Sequence, residues 1–197
     1  MDKTVNHGNA IARAYDEEAE TSGWFGPEVA FGLTYAYIKP GQLLLDIGIG
    51  TGLGSVLFRK AGLIVHGMDI DPEMIEACRS KGFSDLLLHD LSKPPYPYHS
   101  ESMDHVICSG VMNFFKDLSQ LFAETARILR KGGLFAFIAG SKAKGDSGEF
   151  IVGAEHTGSD KPLTMYRHGT EQISLWIEQY GFELLRSLTF FFFMDRE

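Results

Sequence analysis

From Gln42 onward the sequence alternates short apolar runs with segments whose apolar residues recur at helical spacing, and this alternation leaves few folds open. Strands that alternate with helices build a parallel sheet covered on both faces. Leu43–Ile47 predicts a first strand, Leu63–Met68 a second, Leu86–His89 a third, Asp104–Ser109 a fourth and Leu134–Ala139 a fifth. Between them the spacing predicts helices from Thr51 to Ala61, from Asp71-Pro72 to Gly82, and around Leu118–Leu129, the last stopped by Gly132-Gly133. Asp71 is a favoured N-cap, and Pro72 suits a first helical turn. Gly140–Gly169 shows no period and reads as a long loop or insertion, followed by a helix from Thr170 to Tyr180. Phe182–Phe193 reads as a final apolar strand or pair of strands. The expected fold class is α/β, a doubly wound and mostly parallel sheet formed by residues 1–197 as one domain, with residues 1–39 as an N-terminal helical lid.

The formal net charge of -8 speaks against a general nucleic-acid binder, which needs a phosphate-neutralising basic face. The one basic cluster, Arg127, Arg130 and Lys131, falls at a predicted helix end, where it complements the helix dipole. Cys78 and Cys108 are too few for a disulfide framework, and Met1–Glu20 is polar and acidic, the wrong chemistry for a secretion or transit signal. No apolar run approaches the roughly 20 residues of a membrane helix. A reducing cytoplasm is the expected compartment.

Three acidic residues, Asp46, Asp69 and Asp90, fall at the carboxyl ends of three successive predicted strands. In an open parallel sheet that edge binds ligands, beside the point where strand order reverses. After the first of them runs Gly48-Ile49-Gly50-Thr51-Gly52. The dinucleotide fingerprint G-x-G-x-x-G fails in both registers, because Leu53 or Ser55 stands at the third glycine position. What is present brings bare backbone close to a ligand that has no pyrophosphate. Asp46 would repel a phosphate and suits a cationic group, such as an amino acid's ammonium. Asp69 lies about 20 residues beyond the loop, the place of a ribose-binding acid. Ile70 is placed to pack on a base, and Asp90-Leu91 can offer it an acceptor and a backbone donor.

With these motifs, Leu-Leu-Leu-Asp-Ile-Gly-Ile-Gly-Thr-Gly, His-Gly-Met-Asp-Ile-Asp-Pro-Glu-Met and Leu-Arg-Lys-Gly-Gly-Leu-Phe-Ala-Phe, the chain resembles the class I S-adenosylmethionine-dependent methyltransferases of the small-molecule type 11/12 group. The resemblance covers roughly Tyr15 to Phe182 and implies a Rossmann-like methyltransferase fold. It implies that Asp46 and Gly48–Gly52 surround the methionine moiety, Asp69 the ribose, and Asp90 with Leu91 the adenine. Ser109 and Gly110 would border the methyl group, and Tyr15-Asp16 is similar to the family's N-terminal lid. The family sheet usually closes with an antiparallel strand after the sixth. Either Phe182–Met194 supplies both, or the last strand is missing and a partner subunit covers an apolar edge, making a homo-oligomer.

The acceptor is less legible. Lys93-Pro94-Pro95-Tyr96 partly matches an amino-methylating motif but precedes the fourth strand and lacks the leading Asn or Asp. The position after that strand, Ser109–Phe114, names no acceptor. Seven histidines, His7, His66, His89, His99, His105, His156 and His168, form no metal-ligand spacing. His168, with Tyr166 beside it, is the candidate general base, and Trp24, Phe25 and Phe114 are candidate walls of an apolar pocket. The expected function is methyl transfer from S-adenosylmethionine to a small molecule, uncharged or cationic. Two readings stay open beside it: a non-catalytic module binding S-adenosylmethionine or S-adenosylhomocysteine, and an NAD-dependent oxidoreductase.

Overall fold

The computed structural model describes residues 15–153 and 162–190. Five strands, β1 (Leu43–Ile47), β2 (Ile64–Asp69), β3 (Asp85–Leu88), β4 (Met103–Cys108) and β5 (Leu129–Phe137), form one parallel sheet in the order β3-β2-β1-β4-β5. Residues 15–21 form helix α1, followed by α2 (Gly26–Thr34), α3 (Val56–Lys60), α4 (Pro72–Ser80), α5 (Ser119–Ile128) and α6 (Thr170–Gln179). Strand order reverses between β1 and β4, so the crevice of a doubly wound sheet falls there.

β1 is apolar throughout save Asp46 and almost wholly buried, as expected of a central parallel strand covered on both faces. One core layer packs Leu44, Phe58, Ile75, Cys78 and Ile107 beneath α3 and α4, with Phe31 of α2 against it. The other packs Val106, Leu118, Phe122, Ile128 and Trp176 beneath α5 and α6. Phe122 is its hub, with the rings of Phe135, Phe137 and Trp176 at centroid distances of 5.4, 5.5 and 5.9 Å.

Several expectations change. The helix predicted from Thr51 opens as a 3-10 turn, Leu53–Ser55, before α3. Gly132-Gly133 does not stop α5, which ends at Ile128 when Leu129 turns extended. The glycines lie inside β5, where a Cβ on Gly133 would stand 2.5 Å from the Asp104 carbonyl. The basic cluster therefore does not cap a helix as one group. Arg127 sits in the last turn of α5, and Arg130 pairs with Asp104 at 2.7 Å from within β5. Part of the Gly140–Gly169 segment is an antiparallel hairpin, β6 (Glu149–Val152) with β7 (Leu163–Tyr166). Residues 182–190 form no strand, so the predicted final strand is corrected over that stretch. Its remainder, Phe191–Phe193, lies outside the described residues, as does the start of the predicted lid. Among the described residues no antiparallel strand lies beside β5.

Candidate functional site: a cleft at the carboxyl edge of the sheet

The loop after β1 hangs from the end of β2. The amides of Gly48 and Ile49 both donate to the Met68 carbonyl, at 2.8 and 3.0 Å. Gly50 N–H donates to Asp69 Oδ2 at 2.8 Å, and Asp71 N–H donates to Asp69 Oδ1 at 3.0 Å. A Cβ on Gly48 would stand 2.0 Å from Val111 Cγ2, so only glycine lets this loop close against the segment after β4. The Ile49 side chain is buried in the core, leaving its backbone alone toward the edge. A cleft opens between the loop and the end of β4, walled by Asp46, Gly48–Thr51 and Ser109 and covered by Tyr15 and Trp24. Gly110, beside Ser109, leaves open space where a side chain would stand.

The two acids of this cleft differ in surroundings. Asp46 is 2% exposed and accepts from Ser55 Oγ at 2.7 Å. Burial pushes its carboxyl up to about 7, with the nearby Asp69 adding in the same direction and Ser55 opposing. Asp69 is half-buried, and desolvation raises it too, against the donation of three backbone N–H groups. No Lys, Arg or His lines the cleft among the described residues. A pyrophosphate would meet the acid Asp46 there, with Asp69 close by, and no counter-charge among the described residues. A ligand bearing an ammonium, a ribose and no phosphate fits the same groups, and S-adenosylmethionine has that chemistry.

The structure brings Tyr15, Asp46, Gly48, Ile49, Gly50, Thr51 and Ser109 to one cleft, with Asp69 held to Gly50 at its rim. Asp90 stands apart at the end of β3. Its Oδ1 accepts from the hydroxyl and amide of Ser92, at 2.7 and 2.9 Å, and its Oδ2 pairs with Lys93 at 3.0 Å. These donors, Ser92 first, hold its carboxyl down to about 2. Leu91 is buried in the core, and its carbonyl accepts from Gln120 and the Tyr96 hydroxyl. Ile70 is 63% exposed, beside Asp69. His168 is 5% exposed, its Nε2 donates to the Met112 carbonyl at 3.1 Å, and its ring meets Trp176 edge-on. Neither it nor Tyr166, which pairs with Glu149 across the hairpin, lines the cleft. Sequence reasoning missed Ser55 and Lys81. Ser55 is readable only once the turn Leu53–Ser55 folds it back beneath Asp46.

Residues 45–137 match the model of a family described as a methyltransferase domain. The matched stretch runs from β1 to the end of β5 and takes in the glycine loop and Asp69, and over it the chain is similar to S-adenosylmethionine-dependent methyltransferases. It is 35% identical over 133 residues to the malonyl-[acyl-carrier protein] O-methyltransferase of Serratia marcescens, an alignment spanning 65% of this chain and 51% of that one. It is 26% identical over 132 residues to the ubiquinone biosynthesis O-methyltransferase of a Shewanella species, spanning 65% of this chain and 56% of that one. The chain thus spans about half the length of these curated relatives. A solved S-adenosylmethionine-dependent methyltransferase from Aquifex aeolicus shares the fold, with a TM-score of 0.61 and 19% identity over 88% of this chain and 87% of that one.

Proposed function

We propose that the chain transfers a methyl group from S-adenosylmethionine to a small, apolar acceptor entering beside Ser109. The observation that carries this is the cleft itself, which sets Asp46 beside bare loop backbone, has Asp69 bonded to Gly50 at its rim, and has no Lys, Arg or His among its described residues. In this reading Asp69 accepts the ribose hydroxyls, while Gly48–Gly52 and Asp46 hold the methionine end. The donor supplies a methyl group on a positively charged sulfur. What the protein adds is alignment of acceptor and methyl group along one line, and exclusion of water. The Asp90–Leu91 turn and Ile70 stand as the adenine side, with the Ile70 side chain free to cover a ring.

The acceptor side is argued from the aromatic residues. Phe190 lies 6.3 Å from Trp24 and 5.2 Å from Phe25, centroid to centroid, and Phe25 is 40% exposed. Such a wall takes an apolar ring or chain rather than a free carboxylate or phosphate. The buried, carbonyl-bound His168 supports a structural role for that residue, so the reaction is assigned no base from it. Methyl transfer from labelled donor across acceptors of graded polarity tests this, with transfer to apolar acceptors expected. Product only with anionic acceptors would overturn it.

One observation keeps a second reading: no histidine lines the cleft among the described residues. A structural neighbour, the [4+2]-cyclase SpnF, shares the fold with a TM-score of 0.63 and 18% identity over 81% of this chain and 58% of that one. A binding module would retain S-adenosylhomocysteine and yield no product with any acceptor. For partners and place we infer self-association along the open β5 edge, and a reducing compartment that suits two buried free thiols. Sedimentation as a monomer at micromolar concentration would sink the self-association.

A further inference from the structure

Over its described residues, 15–21, helix α1 covers the cleft yet has almost no apolar hold on the rest of the protein. Of its residues Tyr15, Asp16, Glu17, Glu18, Ala19, Glu20 and Thr21, none is buried, and only Asp16 and Ala19 are even half-buried. A segment with so little burial opens locally at small cost unless something polar ties it. One side chain does. Asp16 Oδ1 accepts from Thr51 Oγ1 at 2.5 Å, and Asp16 Oδ2 pairs with Lys81 Nζ. Thr51 belongs to the glycine loop, and Lys81 is the residue at which α4 ends. Asp16 thus ties α1 both to the glycine loop that walls the cleft and to the end of α4, and it does so from the residue next to Tyr15, which covers that cleft.

We propose that Asp16 and Lys81 form a latch that holds Tyr15 over the bound methyl donor and sets how fast donor and product exchange. This rests on the donor reading given above. Asp16 is a positioning residue in it. It lines no part of the cleft and acts through Tyr15 and Thr51. The pair is partly solvent-exposed, with side-chain exposures of 33% and 27%, so it can break and reform without unfolding the sheet.

The test measures the dissociation rate of S-adenosylhomocysteine by stopped flow for the intact chain and for Asp16→Asn, Lys81→Met, the double variant, and the reversed pair Asp16→Lys with Lys81→Asp. Each single variant should release the ligand about tenfold faster. The double variant should be no faster than either single one, and the reversed pair should recover part of the loss. Unchanged rates overturn the latch, as do additive effects in the double variant. A lower melting temperature without ligand, at unchanged release rate, also overturns it, since a merely structural tie would do that. Should Asp16→Asn fail to fold, Lys81→Met at the exposed end of α4 carries the comparison. Failure of the unaltered chain to bind S-adenosylhomocysteine would instead strike at the donor reading itself.

Discussion

Asp46 and Asp69 stand at the ends of neighbouring strands in different surroundings. Asp69 is held by backbone amides on both oxygens, and the proposed reading gives it the ribose hydroxyls. Asp69→Ala should weaken S-adenosylhomocysteine binding by about 1–3 kcal/mol, the range for leaving hydrogen-bonding groups unpaired. Isothermal titration measures it, and an unchanged affinity would mean that the ribose lies elsewhere. Asp46 is buried with one hydroxyl partner, and its carboxyl sits near 7 in the fold. Unfolded, it ionises near 4. Between about pH 4 and 7 the native state holds a proton that the unfolded state has released, so stability falls as pH rises through that window. Asp46→Asn removes this term while keeping an acceptor for Ser55. Relative to the unaltered chain it should gain roughly 2–4 kcal/mol between pH 5 and pH 8. Paired thermal melts at the two pH values read that gain, and a pH-independent difference would refute it. At this scale the sequence placed Asp46, Asp69 and the loop at one edge of the sheet, and the fold brings these three together. It could not tell that Ile49 faces the core, or that Asp90 is committed to Ser92 and Lys93, because both depend on how the chain folds back on itself.

Among the elements, α5 shows how a loop is kept rigid near a site. Arg127 donates to Glu124 at 2.6 and 2.9 Å and to the carbonyls of Tyr96 and Tyr98 at 3.0 and 2.7 Å. Glu124 in turn accepts from the Tyr96 amide at 2.6 Å. The Pro94–Tyr98 segment is thereby clamped to the helix, in keeping with a rigid loop at Lys93-Pro94-Pro95-Tyr96. Arg127→Ala leaves Glu124 and two carbonyls short of donors and should cost about 1–3 kcal/mol. In a chain of this size that lowers the melting temperature by roughly 2–4 °C per kcal/mol. Loss of activity with unchanged melting would contradict the clamp. The same residue shows why element ends were misread. A basic run before two glycines has the pattern of a helix end, but Gly133 is glycine for close passage by the Asp104 carbonyl. That contact joins positions far apart in sequence. The hairpin of β6 and β7 escaped for another reason: each strand has four residues, too few for a period to show.

Taken whole, the molecule was most legible where strands are long, apolar and central. Five strands were expected and five parallel strands are found; their order, β3-β2-β1-β4-β5, is read only from the structure, and its reversal between β1 and β4 places the crevice. The region after β5 was least legible, since Leu184, Leu185 and Leu188 are apolar but exposed over a stretch with no strand. A run of phenylalanines and leucines signals burial without saying in what form. S-adenosylhomocysteine at about 100 times its dissociation constant should stabilise the whole fold by about 2.7 kcal/mol, and NAD should not. Differential scanning fluorimetry with each ligand separates the two, and equal shifts would reopen the oxidoreductase reading.

The double donation of Gly48 and Ile49 to the Met68 carbonyl has a consequence for how such a protein can change over generations. It welds the loop to the strand that carries Asp69. On the proposed reading, donor recognition is then inherited as one rigid part. The β6–β7 hairpin and the aromatic wall share none of those bonds, so on that reading changes there leave the donor half untouched.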